Sequence, residues 1–200
     1  MCVSQTTSWG LLYYSLPVAL VPISADTGWS VPAMTAAFSA GLIVSAIAGV
    51  RVGRMLDRAG PKLLMTVGSV IGVVALLLVG SAPNFVVFAA AWLVAGFAQA
   101  AVFYQPAFVV LTRWYGTHRV RALTILTLVA GFASTIFAPV TAALIDGLGW
   151  RTSYIVLAGI LAVVTIPLHW FFHNARWTPG YRAFPVHGWW AGAGGSGCGA

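Results

Sequence analysis

Charge is what this sequence has least of, and acidic charge above all. Only 6% of its 200 residues are charged, against about a quarter in soluble proteins. The acidic residues are three aspartates, Asp26, Asp57 and Asp146, and there is no glutamate. With 60% hydrophobic residues and a mean hydropathy of +0.93, the chain lacks the polar side chains that a water-soluble surface requires.

Cysteine is also scarce. Cys2 and Cys198 lie near opposite ends and form no Cys-x-x-Cys motif, so neither a disulfide framework nor a zinc site is predicted. His-Glu-x-x-His, a Gly-x-Ser-x-Gly elbow and paired carboxylates are absent from the sequence, and general acid–base catalysis has few groups to use. We therefore predict a protein that is not an enzyme and uses no cofactor or metal. His169 and His173, one helical turn apart without a third ligand nearby, are interpreted as interfacial side chains.

Long apolar runs fill most of the chain. A transmembrane helix needs about 20 mainly apolar residues. Six stretches qualify, so we predict an all-α membrane protein with a six-helix bundle: 8–25, 31–51, 63–81, 84–112, 122–145 and 152–173. The first is the weakest, since Pro17 and Pro22 interrupt it. Because Met1–Ser8 has no Lys or Arg, it is not typical of a cleavable signal peptide, and we expect the first run to be retained.

The distribution of basic residues predicts the orientation. The net charge is +7, but Lys and Arg lie between the apolar runs and not on a stripe, which favours anionic lipid over nucleic acid. Cytoplasmic termini would place nine of the ten Lys and Arg inside, with only Arg151 outside. We expect a multi-pass protein of the inner (plasma) membrane. Trp29 and Trp150 outside, and Trp114, Tyr115 and Trp170 inside, are predicted interfacial anchors.

A short polar loop between the second and third runs carries the most specific motif. Its spacing, Gly-x-x-x-Asp-Arg-x-Gly-x-Lys, resembles the loop between helices two and three of the major facilitator superfamily, a group of secondary transporters. The matching positions are Gly53, Asp57, Arg58, Gly60 and Lys62. Pro61 stands where an Arg is more usual.

The resemblance implies the N-terminal six-helix half of such a carrier, built from two inverted three-helix repeats. The segments 28–30, 113–122 and 149–151 are similar to those of monocarboxylate and oxalate/formate carriers. The implied function is transport of a small organic solute, such as a carboxylate, by alternating access. Residues 1–173 would form the half-transporter domain, which needs a second half, either its own copy or a separate chain. The alternative is a non-transporting interaction protein or an inactive fragment.

The resemblance also implies a charge latch, in which Asp57 pairs with Arg113 at the foot of the fourth helix and holds one conformation. A half-buried carboxylate at the membrane surface needs a cationic or N–H partner. The alternative is that both are ordinary interfacial charges whose side chains reach the headgroups.

Six small side chains recur every fourth position along the second run: Ala33, Ala37, Gly41, Ser45, Gly49 and Gly53. In lipid, small residues let two helices approach closely, so this row predicts helix packing through Gly41, Ser45 and Gly49. The alternative is that small residues are common throughout an alanine-rich chain.

The first and fourth runs contain polar groups able to bind a substrate. The fourth run should bend, because Pro106 has no N–H and leaves the carbonyl of Val102 without its helical partner. In the implied family these two helices line the central path. The candidate cavity residues are Tyr13, Tyr14, Gln99, Tyr104 and Gln105. Hydrogen bonding between helices, or an interfacial position for the tyrosines, is the alternative for each.

The end of the sequence differs from the rest. Residues 174–190 are basic and aromatic, and 191–200 consist almost entirely of Gly and Ala. This tail lacks apolar periodicity, so it is predicted to be disordered or interfacial and to lie outside the domain.

Overall fold

The structure, a computed structural model, describes residues 1–115 and 118–172, apart from the side chains of Arg113 and Phe172. Every element in this part of the chain is helical, which confirms the all-α fold class. The elements are α1 (Cys2–Trp9), a π-helical segment (Gly10–Tyr14), α2 (Ser15–Thr27), α3 (Val31–Ser81), α4 (Phe85–Val102), α5 (Tyr104–Tyr115), α6 (Arg119–Gly131) and α7 (Ala133–Phe172). The predicted tail at 174–200 lies outside the described residues.

Within the described residues, four helical stretches are long and apolar enough to cross a membrane: Cys2–Thr27, Val31–Ser81, Phe85–Thr112 and Arg119–Phe171. Because Val31–Ser81 covers both the second and the third predicted run, Phe85–Thr112 is called the fourth stretch below. A straight helix the length of α3, with 51 residues, would extend about 76 Å, whereas the hydrocarbon core of a bilayer is about 30 Å thick. The two longest stretches therefore have to change direction.

Both longest stretches do so at a glycine. In α3, Gly60 has φ 79° and ψ 168° and precedes Pro61; in α7, Gly149 has φ 75° and ψ 160°. Glycine accepts these positive φ values without the steric penalty that a Cβ introduces. Each break divides its helix into two arms, at the places where the sequence predicts separate spans. The count of six spans remains a prediction.

Contacts at the ends show how the arms run. Trp29, just before α3, lies 5.8 Å from Phe85, just after it, between ring centroids. At the other end, Lys62 Nζ lies 4.4 Å from the ring centroid of Trp170, near the end of α7. The arms of α3 therefore fold back on each other, and the Gly60 turn meets the last turns of α7.

The first helical stretch begins earlier than predicted. It is helical from Cys2 to Thr27, whereas the apolar run starts at 8. The residues before that run, Ser4–Ser8, are polar and buried. Thr6 Oγ1, for example, donates to the carbonyls of Cys2 at 3.0 Å and Val129 at 3.3 Å. The polar side chains face protein and not lipid, which allows the helix to extend.

The main apolar core lies between α2, α3, α4 and the second arm of α7, and includes Leu76, Trp92 and Leu157. Trp150 belongs to it with only 4% of its surface exposed, so the prediction that it anchors in the lipid interface is wrong. Trp170, in contrast, is 47% exposed at the other end of the molecule.

Candidate functional site

The loop motif lies on the turn that links the two arms of α3. Gly53 and Arg58 are exposed on the last turns of the first arm, and Gly60 forms the break itself. Leu56, between them, is 1% exposed and packs with Leu64 and Val110. The apolar Leu56 thus holds the turn against α5, while Asp57 and Arg58 are exposed and Lys62 is half-buried.

The predicted latch joins Asp57 in this turn to Arg113 in α5. Trp114, the next residue after Arg113, packs against the cluster that contains Leu56, so the end of α5 lies beside the turn. The side chain of Arg113 lies outside the described residues. The latch therefore stays a prediction.

Three of the five candidate cavity residues come together around a tryptophan. Trp9 lies 5.4 Å from Tyr13 and 4.9 Å from Tyr104 between ring centroids, and it stacks on Phe103 at 4.1 Å. The ring of Tyr14 contacts that of Tyr13, with 5.2 Å between the ring centroids. We call these five residues the aromatic patch. Its three tyrosines are half-buried, so their rings form one wall, on the first and fourth helical stretches.

The two candidate glutamines have different surroundings. Gln99 is 1% exposed, and its Nε2 donates to the carbonyl of Leu12 at 3.0 Å. Gln105 is exposed and lies against Gly49 of α3, where the two residues line a small cavity of about 70 Å³. In this conformation Gln99 connects two helices and Gln105 lies beside the small-residue row of α3.

The sequence did not predict which side chain bonds to the carbonyl left free at the break in the fourth stretch. The fourth stretch does break as expected, at Phe103, which has ψ −165°. The carbonyl of Val102 accepts a hydrogen bond at 2.6 Å from Nε2 of Gln5, which is fully buried. The signal available in the sequence was a run of polar residues, 4–8, next to an apolar span with one carbonyl lacking a partner.

The small-residue row faces α4 at its centre. A Cβ on Gly96 would overlap the backbone of Gly41, and one on Gly41 would overlap the carbonyl of Trp92. Further along the row, a Cβ on Gly49 would lie 2.6 Å from Oε1 of Gln105. Ser45, between the two glycines, is half-buried. Close backbone contact between α3 and α4 therefore depends on the absence of side chains at Gly41 and Gly96.

A cavity of about 740 Å³ lies between the N-terminus, α5 and α6. We call it the basic cavity, because its described lining includes a guanidinium and an imidazole but no carboxylate. The lining is Met1, Cys2, Leu111, Trp114, Tyr115, His118, Arg121, Ala122, Ile125 and Leu126. Its volume lies in the range typical of small-molecule sites, roughly 300–1,000 Å³. A small anion with an apolar portion fits this chemistry.

Comparison with known proteins decides the family. A sequence model of the Major Facilitator Superfamily matches residues 2–186. The chain belongs to this superfamily. It is also 30% identical over 132 residues to a Bacillus subtilis (strain 168) protein called uncharacterized MFS-type transporter YcxA. That match covers 64% of this chain but only 31% of the relative, so the chain spans about a third of the relative's length.

Membership confirms that this is an integral membrane protein of a transporter family. It points to transport and not to an enzyme. In this major facilitator chain, the turn at Gly60, the aromatic patch and the basic cavity are the candidate features for a transport function.

A further polar contact connects α3 and α7 of this major facilitator protein. His169, expected at the interface, is fully buried, and its Nδ1 lies 2.8 Å from Oγ of Ser69 in α3. Ser69 Oγ also lies 3.0 Å from the carbonyl of Met65. The interfacial interpretation is therefore wrong for His169, while His173 lies outside the described residues.

Proposed function

We propose that this chain is a six-helix half of a secondary transporter for small organic anions, with carboxylates as the substrate class. The observation that carries the substrate class is the basic cavity, where Arg121 and His118 lie beside Trp114 and Tyr115. A guanidinium binds a carboxylate through two parallel hydrogen bonds, and aromatic walls exclude water around it. Two of the three aspartates, Asp26 and Asp146, lie near the opposite ends of the helices.

The aromatic patch supplies one wall of the transport path in this proposal. Tyr13, Tyr14 and Tyr104 offer hydroxyl groups on a half-buried surface. A substrate bound there needs a second wall to shield it from water. The matched relative is about three times as long as the matched segment, which supports a second six-helix half, supplied by another copy or a separate chain.

The proposed orientation places the Gly60 turn and the basic cavity in the cytoplasm, with both termini there, in the inner (plasma) membrane. The positive-inside rule supports this orientation, since Arg54, Arg58 and Lys62 surround the turn. In the proposed cycle, six crossings rock against the second half, and the latch of Asp57 with Arg113 stabilises one of the two states.

Ligand-dependent stability tests the substrate class. A bound ligand raises the unfolding temperature of the folded protein according to its concentration and Kd. Oxalate, formate and lactate at millimolar concentrations should raise the Tm of the purified chain by about 2–5 °C, whereas a neutral sugar should not. Arg121→Gln should abolish the shift, and Arg54→Gln should keep it. Equal shifts for sugar and carboxylate, or an unchanged shift in Arg121→Gln, would refute the anion proposal.

A non-transporting membrane protein is the second candidate, favoured by Gln99, a predicted cavity residue that instead donates to the carbonyl of Leu12 in another helix. Such a protein keeps the helical bundle and the turn but carries no solute. The two candidates differ in one observable, the flux of solute through the wall of a vesicle that contains only this chain.

A further inference from the structure

The first helical stretch contains an irregular segment. Gly10–Tyr14 is a π-helix, in which the hydrogen-bond ladder is shifted by one residue. Two carbonyls of this segment accept side-chain donors: Leu11 from Oγ of Ser15 at 2.6 Å, and Leu12 from Nε2 of Gln99 at 3.0 Å. The second donor comes from α4, so a residue of the fourth stretch stabilises the irregular part of the first.

The fourth stretch contains its own irregular segment, and the relationship is reversed. Phe103 leaves the helical conformation, and Pro106 has no N–H for the carbonyl of Val102. Nε2 of Gln5, in α1, donates to that carbonyl at 2.6 Å. A residue of the first stretch therefore stabilises the irregular part of the fourth.

We propose that Gln5 and Gln99 form a reciprocal amide brace that makes the two irregular segments bend as one hinge. Gln5 and Leu12 are two turns apart on one face of the first stretch, and Gln99 and Val102 are one turn apart on the facing helix. The two bonds thus cross the same interface in opposite directions. The role in a transport cycle rests on the proposed function; the mechanical coupling of the two segments does not.

The same interface contains polar atoms that this conformation leaves unsatisfied. Within the described part of the chain, Gln5 Oε1, Ser8 Oγ and Gln99 Oε1 are buried and have no hydrogen-bond partner. Buried polar atoms without partners are disfavoured, so a conformation that admits water between the helices regains hydrogen bonds. Partial separation of the two segments would therefore satisfy these polar atoms. The brace thus connects two segments that can move, as in a hinge.

A double-mutant cycle tests the bond from Gln5. Gln5→Met keeps the shape of the side chain but removes the donor, and should lower Tm by about 3–6 °C. Pro106→Ala supplies an N–H that can bond the Val102 carbonyl once Phe103 becomes helical, so in that background Gln5→Met should lower Tm by less than about 1 °C. The matched control is Thr165→Val, which removes a buried side-chain donor in α7 outside the brace and whose effect should be the same in both backgrounds. If Gln5→Met lowers Tm as much in the Pro106→Ala background as in the wild-type chain, the proposal is wrong.

Amide hydrogen exchange tests whether the two segments are coupled. Pro106→Ala should change exchange across Gly10–Tyr14 by at least about threefold, although the substitution lies in another helix. In the Gln5→Met/Gln99→Met chain the same substitution should change it by less than about 1.5-fold. Equal changes in the two chains would overturn the brace. Both experiments are done without substrate, so their outcome is independent of whether the chain transports.

A transport measurement separates a positioning role from a purely structural one. In vesicles that show uptake, Gln5→Met should lower the maximal rate about tenfold while KM stays within about twofold, because the hinge affects the conformational step and not binding. A raised KM with an unchanged maximal rate would assign the glutamine to substrate binding and contradict the hinge.

Discussion

Trp150 and Asp26 lie 124 residues apart in sequence, and Nε1 of the indole donates to a carboxylate oxygen of the aspartate at 2.8 Å. This bond connects the end of α2 to the second arm of α7. The guanidinium of Arg151 covers the Trp150 ring at 4.3 Å and donates to the carbonyl of Ala82, which ends α3, at 2.7 Å. Three helix ends are thus tied together on the side opposite the Gly60 turn.

Removing the Asp26 carboxylate should loosen this end of the bundle. Asp26→Ala leaves the buried indole N–H without its acceptor, and we expect a loss of about 1–3 kcal/mol in the free energy of unfolding. Asp146→Ala is the matched control, because Asp146 is an exposed carboxylate in the first arm of α7 near Gly149. It should change stability by less than about 0.5 kcal/mol. Thermal unfolding in detergent measures both, and equal effects would contradict the tie.

The turn at Gly60 requires glycine for a conformational reason. Its φ of 79° is one that a Cβ disfavours, so Gly60→Ala should destabilise the protein by about 1–2 kcal/mol. Gly53 belongs to the same loop motif but has helical surroundings and open space where a Cβ would lie. Gly53→Ala should be neutral or stabilise by up to about 1 kcal/mol. The same sign for both substitutions would show that backbone conformation is not the cause.

The close contact of α3 with α4 depends on two glycines. Gly96→Ala places a methyl group into the backbone of Gly41, and overpacking of this kind costs about 1–3 kcal/mol. Gly159 in α7 has no atom within 4 Å of its would-be Cβ, so Gly159→Ala is the control and should not destabilise. If Gly96→Ala and Gly159→Ala lower the unfolding temperature equally, or neither lowers it, the packing role of Gly41 is contradicted.

The buried bond of His169 to Ser69 should matter more than an exposed serine bond. Ser69→Ala removes a hydrogen-bond partner of a fully buried imidazole and is expected to cost about 1–3 kcal/mol. Ser81 is exposed and bonds only within its own helix, to the carbonyls of Leu77 and Leu78. Ser81→Ala should cost less than about 0.5 kcal/mol. A larger effect at Ser81 than at Ser69 would contradict the role given to the imidazole.

Cysteine labelling tests the proposed orientation. In a chain with Cys2 and Cys198 replaced by Ser, Arg58→Cys and Asp146→Cys introduce thiols at two exposed positions near opposite ends of the bundle. A membrane-impermeant maleimide should label Asp146→Cys in intact cells and Arg58→Cys only after permeabilisation. Labelling of Arg58→Cys from outside would reverse the topology.

The features that the sequence could predict are those set by local chemistry. Apolar runs and the rarity of charge indicate a membrane bundle, and the missing N–H of Pro106 identifies the carbonyl of Val102 in advance. A glycine in the loop motif marks the place where α3 turns back. Each of these follows from one residue and its immediate neighbours.

What could not be predicted depends on the rotation and docking of whole helices. The donor to Val102 is Gln5, 97 positions away, and no local pattern pairs them. Trp150 and His169 are amphipathic side chains near the ends of spans, where interfacial positions are expected. Both nevertheless face the bundle interior, because helix packing decides which side of a helix meets lipid. Gln99 likewise bonds to the carbonyl of Leu12 in another helix, and no pattern within its own helix indicates this partner.

We propose that this major facilitator chain, with a second copy supplying the other half, moves small carboxylates across a membrane. This proposal is tested most directly by loading liposomes that contain only this chain with unlabelled oxalate or lactate and following entry of the labelled compound. We expect labelled carboxylate to accumulate at least about fivefold over protein-free vesicles, with Arg121→Gln reduced to background and a labelled neutral sugar excluded. Wild-type vesicles that accumulate no more carboxylate than protein-free ones would contradict the account and favour a non-transporting membrane protein.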